Sequence, residues 1–206
     1  MTWFRCGMKK ASEDSFVRLV ERTITSVSND IITDVGISAF AQCKSLTSVD
    51  LPNATTINGS SFLGCSYLVN VNLPKVTSIA SSAFNQCARL TNINIPEVTS
   101  VLSNAFYSCS SLIELDFHKL TSIATQSFSG SGSLETIIIR TNSMATLDNI
   151  DAFNGTRFAA GGSGGTIYVP QSLKSTYEAN ATWAALLALN ANNQILAIEG
   201  SPYEEV

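Results

Sequence analysis

The sequence has a single histidine, His118, and little charge of either sign, since Asp, Glu, Lys and Arg together make up 14% of its 206 residues. One histidine leaves no usual nucleophile–histidine–acid triad and no metal site built on several imidazoles. The net charge is −4, and there is no run or stripe of Lys and Arg. A nucleic-acid partner is therefore excluded, because phosphate binding needs clustered positive charge.

Long apolar runs are also absent. No stretch approaches the roughly 18 consecutive apolar residues that read as a membrane-spanning helix. The opening MTWFRCGMKK lacks the apolar core of a signal peptide. Membrane insertion is not expected. The location of the protein stays open: it remains inside the cell, it is exported by another route, or the sequence is a part of a longer chain. Apolar residues still make up 45% of the sequence, enough to bury a core.

What the sequence does contain is a 22-residue repeat marked by phenylalanine. The phenylalanines are Phe40, Phe62, Phe84, Phe106 and Phe128. Three residues after each comes Cys or Ser, and the series is Cys43, Cys65, Cys87, Cys109 and Ser131. Three residues further on comes leucine, at Leu46, Leu68, Leu90, Leu112 and Leu134. A fixed period of this length predicts a solenoid of stacked coils.

Each coil contains two kinds of apolar spacing. The period of two in Val49 and Leu51 predicts a strand that ends at Pro52, where the missing N–H costs little. The step of three from Phe40 to Cys43 predicts a short helical turn with one face inward. Coils in the same phase should stack with their strands parallel and about 5 Å apart, because one coil cannot bury its apolar side alone.

The unit I-x-x-x-A-F-x-x-C-x-x-L-x-x-I-x-L-P resembles the BspA-like branch of the leucine-rich repeat family, and the match runs from Ile24 to Pro170. The resemblance implies a right-handed α/β solenoid with a parallel sheet on one face and helical caps at both ends. BspA-like proteins are typically bacterial surface proteins implicated in adhesion to host components. The position that usually holds Asn or Cys after the strand is apolar here, so the usual asparagine ladder is not expected. It is occupied by Ala54, Val76, Val98 and Leu120.

Three regions are predicted along the chain. Residues 1–23 form a leader and an amphipathic capping helix, and residues 24–170 form the array of about six coils. The last coil is irregular and contains a glycine-rich loop at 154–166. Residues 171–206 form a C-terminal cap with a closing helix and a last strand in QILAIEG.

The repeat cysteines favour one structural interpretation over two others. A ladder with one Cys per coil does not converge on a point, as zinc requires. Disulfides between neighbouring coils are geometrically conceivable, but a small apolar residue suits the core and the fifth position is Ser131. Buried free thiols are therefore predicted, and Cys6 has no partner visible from the sequence.

The outward strand positions form the candidate binding face for a protein or glycan. In leucine-rich repeats this face usually holds the ligand, and solenoids generally serve as extended interaction surfaces. Solvation of a polar outer face is the alternative. No cofactor, metal or catalytic residue is predicted. The candidate residues are Ser48, Asp50, Asn70, Asn72, Asn92, Asn94, Glu114, Asp116, Thr136 and Arg140.

Two other functions stay open at this point. Glu114 and Asp116 lie close together and could in principle do glycosidic acid–base chemistry, although nothing on an open face buries them to tune their pKa values. A structural module of a phage or prophage tail is the second alternative, and that function predicts an oligomer joined through a cap or a long edge. The sequence alone does not fix the oligomeric state.

Overall fold

A computed structural model describes residues 24–204 of the chain. The predicted leader and capping helix at 1–23, including Cys6, lie outside the described residues. Within the described part, no helix is long and apolar enough to cross a membrane.

The described chain is a parallel β-solenoid in which each coil contributes strands to two faces. The strands of the first face, which includes the candidate binding positions, are β1 (Ser26–Ser28), β3 (Ser48–Asp50), β5 (Asn70–Asn72), β7 (Asn92–Asn94), β9 (Glu114–Phe117), β11 (Thr136–Ile139), β13 (Thr166–Val169) and β14 (Gln194–Ala197). The second face holds two-residue strands β2 (Asp34–Val35), β4 (Thr56–Ile57), β6 (Ser78–Ile79), β8 (Ser100–Val101), β10 (Ser122–Ile123) and β12 (Thr146–Leu147). The sequence predicted only the first of these faces.

All these strands pair in parallel, with a shift of 22 residues between the regular coils from β1 to β11 and longer shifts of 24 to 30 residues at β12, β13 and β14. On the first face they form two four-stranded sheets, with the neighbour orders β1-β3-β5-β7 and β9-β11-β13-β14. The second face is a single six-stranded sheet with one strand from each coil. Val49 lies opposite Val71, and Ile57 opposite Ile79. Because identical positions pair, every apolar column of the repeat becomes a continuous buried row.

The short helix predicted in each coil was wrong for the coils between residues 24 and 147, where this segment is a series of turns. The reason lies in two left-handed residues that flank each phenylalanine, such as Ser38 (φ 55°) and Gln42 (φ 63°). They rotate the peptide planes so that alternate N–H groups donate to the next coil and not within their own turn. The Phe40 N–H donates to the Ser61 carbonyl of the next coil at 2.7 Å, whereas the Cys43 N–H donates to the Phe40 carbonyl at 3.1 Å.

The phenylalanines form a stack along the solenoid axis. The rings of Phe62, Phe84 and Phe106 are fully buried, and consecutive ring centroids are 5.2 and 5.5 Å apart and nearly parallel. The predicted inner face of the repeat is confirmed at these positions.

The repeat cysteines have a definite partner in the preceding coil. The Cys87 thiol donates to the Phe62 carbonyl with an Sγ–O distance of 3.2 Å, and Cys65 and Cys109 make the equivalent contacts. The Ser131 hydroxyl does the same to Phe106 at 2.7 Å, which explains why serine replaces cysteine in the fifth coil. The predicted free thiols are confirmed at Cys65, Cys87 and Cys109, but the prediction was wrong at Cys43, which is disulfide-bonded.

Burial controls the chemistry of these thiols. Loss of solvation raises the pKa of Cys65 to about 12, and it also raises the pKa values of Cys87 and Cys109. A protonated, buried thiol is neither a nucleophile nor a metal ligand. These three cysteines are packing residues that also donate hydrogen bonds.

The sixth coil departs from the others and leads into the C-terminal elements. A short 3-10 helix, Ile150–Phe153, places the Phe153 ring 5.4 Å from that of Phe128, and the Phe158 ring follows at 5.0 Å from Phe153. The glycine-rich loop that follows is held by Asn193, whose side chain accepts from the Gly165 N–H at 3.0 Å and donates to the Phe158 carbonyl at 2.8 Å.

Two helices connect β13 to β14, where the sequence predicted one closing helix. They are α1 (Gln171–Ala179) and α2 (Ala181–Ala188). The break falls at Asn180, whose side chain accepts from the N–H groups of Thr182 and Trp183 and so starts α2.

Candidate binding face

The outward side chains of the first face divide into two halves with different surroundings. The polar half is defined by β3, β5 and β7, with Ser48, Asp50, Asn70, Asn72, Asn92 and Asn94 pointing outward. The C-terminal half is defined by β9, β11 and β13, with Glu114, Asp116, Thr136, Ile138 and Tyr168 in the equivalent positions. Inward neighbours such as Val49 and Leu115 are buried, so strand alternation decides which residues face out.

Asparagine amides bridge neighbouring coils across the polar half. The Asn72 amide donates to Asp50 at 2.8 Å, and the Asn94 amide donates to Asn72 at 2.8 Å. A second row repeats the pattern from Asn92 to Asn70, also at 2.8 Å. Each amide carries two N–H donors and two acceptor lone pairs, so every rung retains hydrogen-bonding capacity beyond the bridge. The row is therefore both ordered and able to bind a polar ligand.

An aromatic–cation pair lies just before the strands of the polar half. The Arg89 guanidinium lies 4.2 Å from the centroid of the Tyr67 ring, and Tyr67 is 48% exposed. Sequence reasoning missed both residues. Their shared phase, 22 residues apart and three residues before β5 and β7, was the signal that could have found them.

A paired arginine organises the C-terminal half. Arg140, directly after β11, donates from Nε to Asp116 Oδ1 at 2.8 Å and from Nη2 to Asp116 Oδ2 at 2.8 Å. Such two-point contacts fix the plane of the guanidinium. His118 is further from the same carboxylate, at 3.8 Å between Nε2 and Oδ1. Arg140 and Asp116, both candidates from the sequence, are therefore brought together.

The C-terminal strap, residues 198–204, folds back over this half. The Tyr203 hydroxyl donates to Glu114 Oε2 at 2.6 Å, and Arg140 Nη1 donates to the Tyr203 carbonyl at 2.9 Å. The Tyr203 ring lies 4.8 Å from that of Tyr168. Glu114 and Asp116, considered for acid–base chemistry, are thus both engaged by neighbouring groups.

Ile138 is the second sign that the strap covers this half. It occupies an outward position, between Asp116 and Tyr168 in the strand register, and yet it is fully buried. Burial of an outward residue agrees with side chains of the neighbouring strands and of the strap that pack over this side of the sheet. The strap contacts this half at Glu114, Arg140 and Tyr168, so the C-terminal half is partly covered, whereas the polar half is open.

A cavity of about 400 Å³ adjoins the strap at the carboxyl ends of these strands. It is lined by His118, Arg140, Asn142, Pro170, Ile198 and Glu199. The Gln171 N–H donates to Glu199 at 2.8 Å on this side. Among residues 24–204, no group of three or more His, Cys, Asp or Glu side chains is placed to hold a metal.

The contact between Tyr203 and Glu114 predicts a pH-dependent strap. The hydrogen bond to Glu114 is the main cause that raises the pKa of Tyr203 from 10.0 to about 12, with smaller contributions from burial and from Tyr168. Since the folded pKa lies above the unfolded one, the contact stabilises the strap fully below pH 10 and is lost as the pH rises through about 12. Replacement of Glu114 by Ala should return the pKa of Tyr203 towards 10, as measured by NMR of ¹³C-labelled tyrosine rings.

Tyr177 provides an internal control in the same spectra, because burial raises its pKa independently of Glu114. A Tyr203 titration that is identical in the wild type and the Glu114→Ala variant would contradict the assigned contact.

The repeat geometry agrees with a family model. The BspA type leucine-rich repeat region matches residues 33–158 in six copies. The chain belongs to the BspA-type leucine-rich repeat family. In this BspA-type chain the position after the strand is a buried apolar column, represented by Ala54, Val76 and Val98. The asparagine rows therefore lie outside the coils and not in their interior.

Several solved structures resemble this BspA-type solenoid. The leucine-rich repeat protein of T. pallidum is 25% identical with a TM-score of 0.50, covering 62% of this chain and 60% of its own. A leucine-rich cell surface protein of Faecalibacterium prausnitzii is 21% identical, with a TM-score of 0.49 and coverages of 72% and 55%. A leucine-rich repeat protein of Bacteroides ovatus is 20% identical, with a TM-score of 0.46 and coverages of 71% and 52%.

The BspA-type chain spans 60% or less of the length of each of these three structures. No curated protein matches the sequence.

Proposed function

We propose that this protein is a non-catalytic binding module that holds a protein or glycan ligand on its outer strand face, in an adhesive role at a bacterial cell surface. The observation that carries the proposal is the polar half. Its amide rows lie at the surface, are ordered by coil-to-coil hydrogen bonds of 2.8 Å, and carry further donors and acceptors. A rigid array of this kind loses little conformational entropy when a ligand binds.

The exposed pair of Tyr67 and Arg89 adds to the support. Tyrosine and arginine are enriched among the residues that dominate binding energy at protein interfaces. A guanidinium already packed against the ring is partly ordered before a ligand arrives. This pair would anchor one edge of the ligand beside the amide rows.

The proposal also includes a C-terminal cap: residues 171–206 close the C-terminal end of the repeat array. Tyr177 and Trp183 support it, because they bond the N–H and the carbonyl of Ala145 at 2.8 and 2.9 Å. These are main-chain groups beside the terminal strand β12. The N-terminal helical cap and the right-handed sense of the coils stay predictions.

Loss of two amides tests the proposed function. The double replacement Asn72→Ala with Asn94→Ala should weaken ligand capture about 5- to 150-fold, because each lost hydrogen bond is worth roughly 0.5–1.5 kcal/mol. The wild type is first screened on an array of glycans and host proteins, and the variant is then measured against the ligands captured. Circular dichroism and the melting temperature should stay close to those of the wild type, since both amides lie at the surface.

The matched control is Thr56→Ala with Ser78→Ala, which removes two polar groups from the second face. This control should capture ligand as well as the wild type does. Binding that never rises above background on the array would reject the proposed function.

A further inference from the structure

The strap places a tyrosine on the candidate binding face in the manner of a bound peptide. Its phenol donates to Glu114, its carbonyl accepts from Arg140, and its ring lies against Tyr168. Glu114 is 89 residues away in sequence. The contact therefore joins two separate parts of the fold and is not a local turn.

The surface that receives this tyrosine is built from ordered groups. Asp116 holds the Arg140 guanidinium at two points, which leaves Nη1 directed at the main-chain carbonyl. The Arg140 side chain is 16% exposed, so this contact is only partly open to competing water. Ile138, an outward residue of this half that is fully buried, provides an apolar floor next to Tyr168 in the register.

We propose that Glu114, Arg140 and Tyr168 form a tyrosine-binding subsite for peptide ligands, which Tyr203 of the same chain occupies. The ligand is a peptide segment that contains tyrosine and presents its main-chain carbonyl to Arg140. The inference rests on the proposed function, in which the outer strand face binds the ligand, and it names the chemistry that one end of that face accepts.

The residues around the phenol predict the selectivity of this subsite. The Glu114 carboxyl group accepts the hydrogen bond of the phenol, so it favours a hydroxyl and gains nothing from phenylalanine. The carboxylates of Glu114 and Asp116 would repel a phosphorylated or sulfated tyrosine. Unmodified tyrosine is therefore the preferred side chain.

The strap acts as a tethered competitor. Gly200 adopts the left-handed conformation (φ 78°) and turns the chain back, while the Ser201 N–H donates to the Ile198 carbonyl at 2.9 Å. A short tether gives Tyr203 an effective concentration in the millimolar range or above. A peptide in solution must exceed that value to displace it, so removal of the Tyr203 side chain should expose the subsite.

The test uses the full chain with Tyr203→Ala and the peptide Ac-Ser-Pro-Tyr-Glu-NH2, followed by amide NMR. The variant should bind with a Kd of about 1 mM, which corresponds to a small contact surface, and the shifts should fall on residues 114–117 and 136–139. The wild type should bind about two- to tenfold more weakly, because its strap fills the subsite at an effective concentration of about 1–10 mM. The peptide with Phe in place of Tyr should also lose about tenfold, as expected for one hydrogen bond to a charged group.

Tyr203→Phe provides a second variant that keeps the ring packing if Tyr203→Ala does not fold. Its strap lacks the bond to Glu114, so the tyrosine peptide should bind it more tightly than it binds the wild type. Equal binding to the wild type and a folded variant, or shifts located elsewhere, would overturn the subsite.

The proposed function fails by a different result. Ligand capture that depends on Asn72 and Asn94 would stand even if the peptide never bound at Glu114. Conversely, peptide binding at the subsite would stand even if the screen of glycans and host proteins found no ligand for the polar half.

Discussion

Replacement of Phe84 by Ala should lower the free energy of unfolding by about 3–5 kcal/mol, the usual cost of truncating a buried aromatic side chain. Phe84 is fully buried, and its ring stacks between those of Phe62 and Phe106 at 5.2 and 5.5 Å. The coils on both sides are joined by main-chain hydrogen bonds, so the space left by the ring cannot easily collapse. Urea denaturation, supported by the melting temperature, measures the loss.

Ile113→Ala is the matched control, because it removes apolar atoms from a side chain that is 50% exposed. It should change the free energy of unfolding by less than about 1 kcal/mol. An unchanged melting temperature for Phe84→Ala would show that the inner face of the repeat is wrongly placed.

Replacement of Trp183 by Ala should also destabilise the protein by about 3–5 kcal/mol. The indole is fully buried, its Nε1–H donates to the Ala145 carbonyl at 2.9 Å, and Tyr177 meets it edge-on with ring centroids 5.3 Å apart. Its loss removes apolar packing and leaves the Ala145 carbonyl without this donor. Hydrogen exchange should rise first around β12 and α2, while amides of β3 and β5 keep their protection.

Trp183→Phe separates the two contributions. It keeps a buried aromatic ring and loses the hydrogen bond with a smaller part of the apolar contact, so it should cost about 1–3 kcal/mol. Equal losses for Trp183→Phe and Trp183→Ala would contradict a large packing contribution from the ring. Uniform exchange along the whole solenoid would contradict a role confined to the C-terminal end.

The period of the repeat could be read directly from the sequence, but the conformation within it could not. Phenylalanine, cysteine and leucine return at one phase, and stacking follows because only a stack buries them. The turn conformation depends on left-handed backbone at positions held by Ser, Gln, Asn and Gly in different coils. A step of three between Phe84 and Cys87 fits a helical turn equally well, so the apolar pattern alone favoured the wrong element.

The candidate face shows the same division. Strand alternation was sufficient to predict that Asn72, Asn94, Glu114 and Asp116 point outward together. It did not predict which of them a distant segment would cover, because nothing in the local sequence links Tyr203 to Glu114.

The sequence by itself determined the 22-residue coil, its buried columns and its outward polar rows, since these follow from spacing and from the need to bury apolar surface. Only the tertiary structure decided the second sheet, the hydrogen bond from each free repeat thiol to a phenylalanine carbonyl, and the strap over the C-terminal half. The physical reason is the separation in sequence of the residues that make each contact. Periodic burial is fixed by neighbours one repeat apart, whereas the strap depends on Tyr203, whose phenol meets Glu114 89 residues away and whose carbonyl meets Arg140 63 residues away.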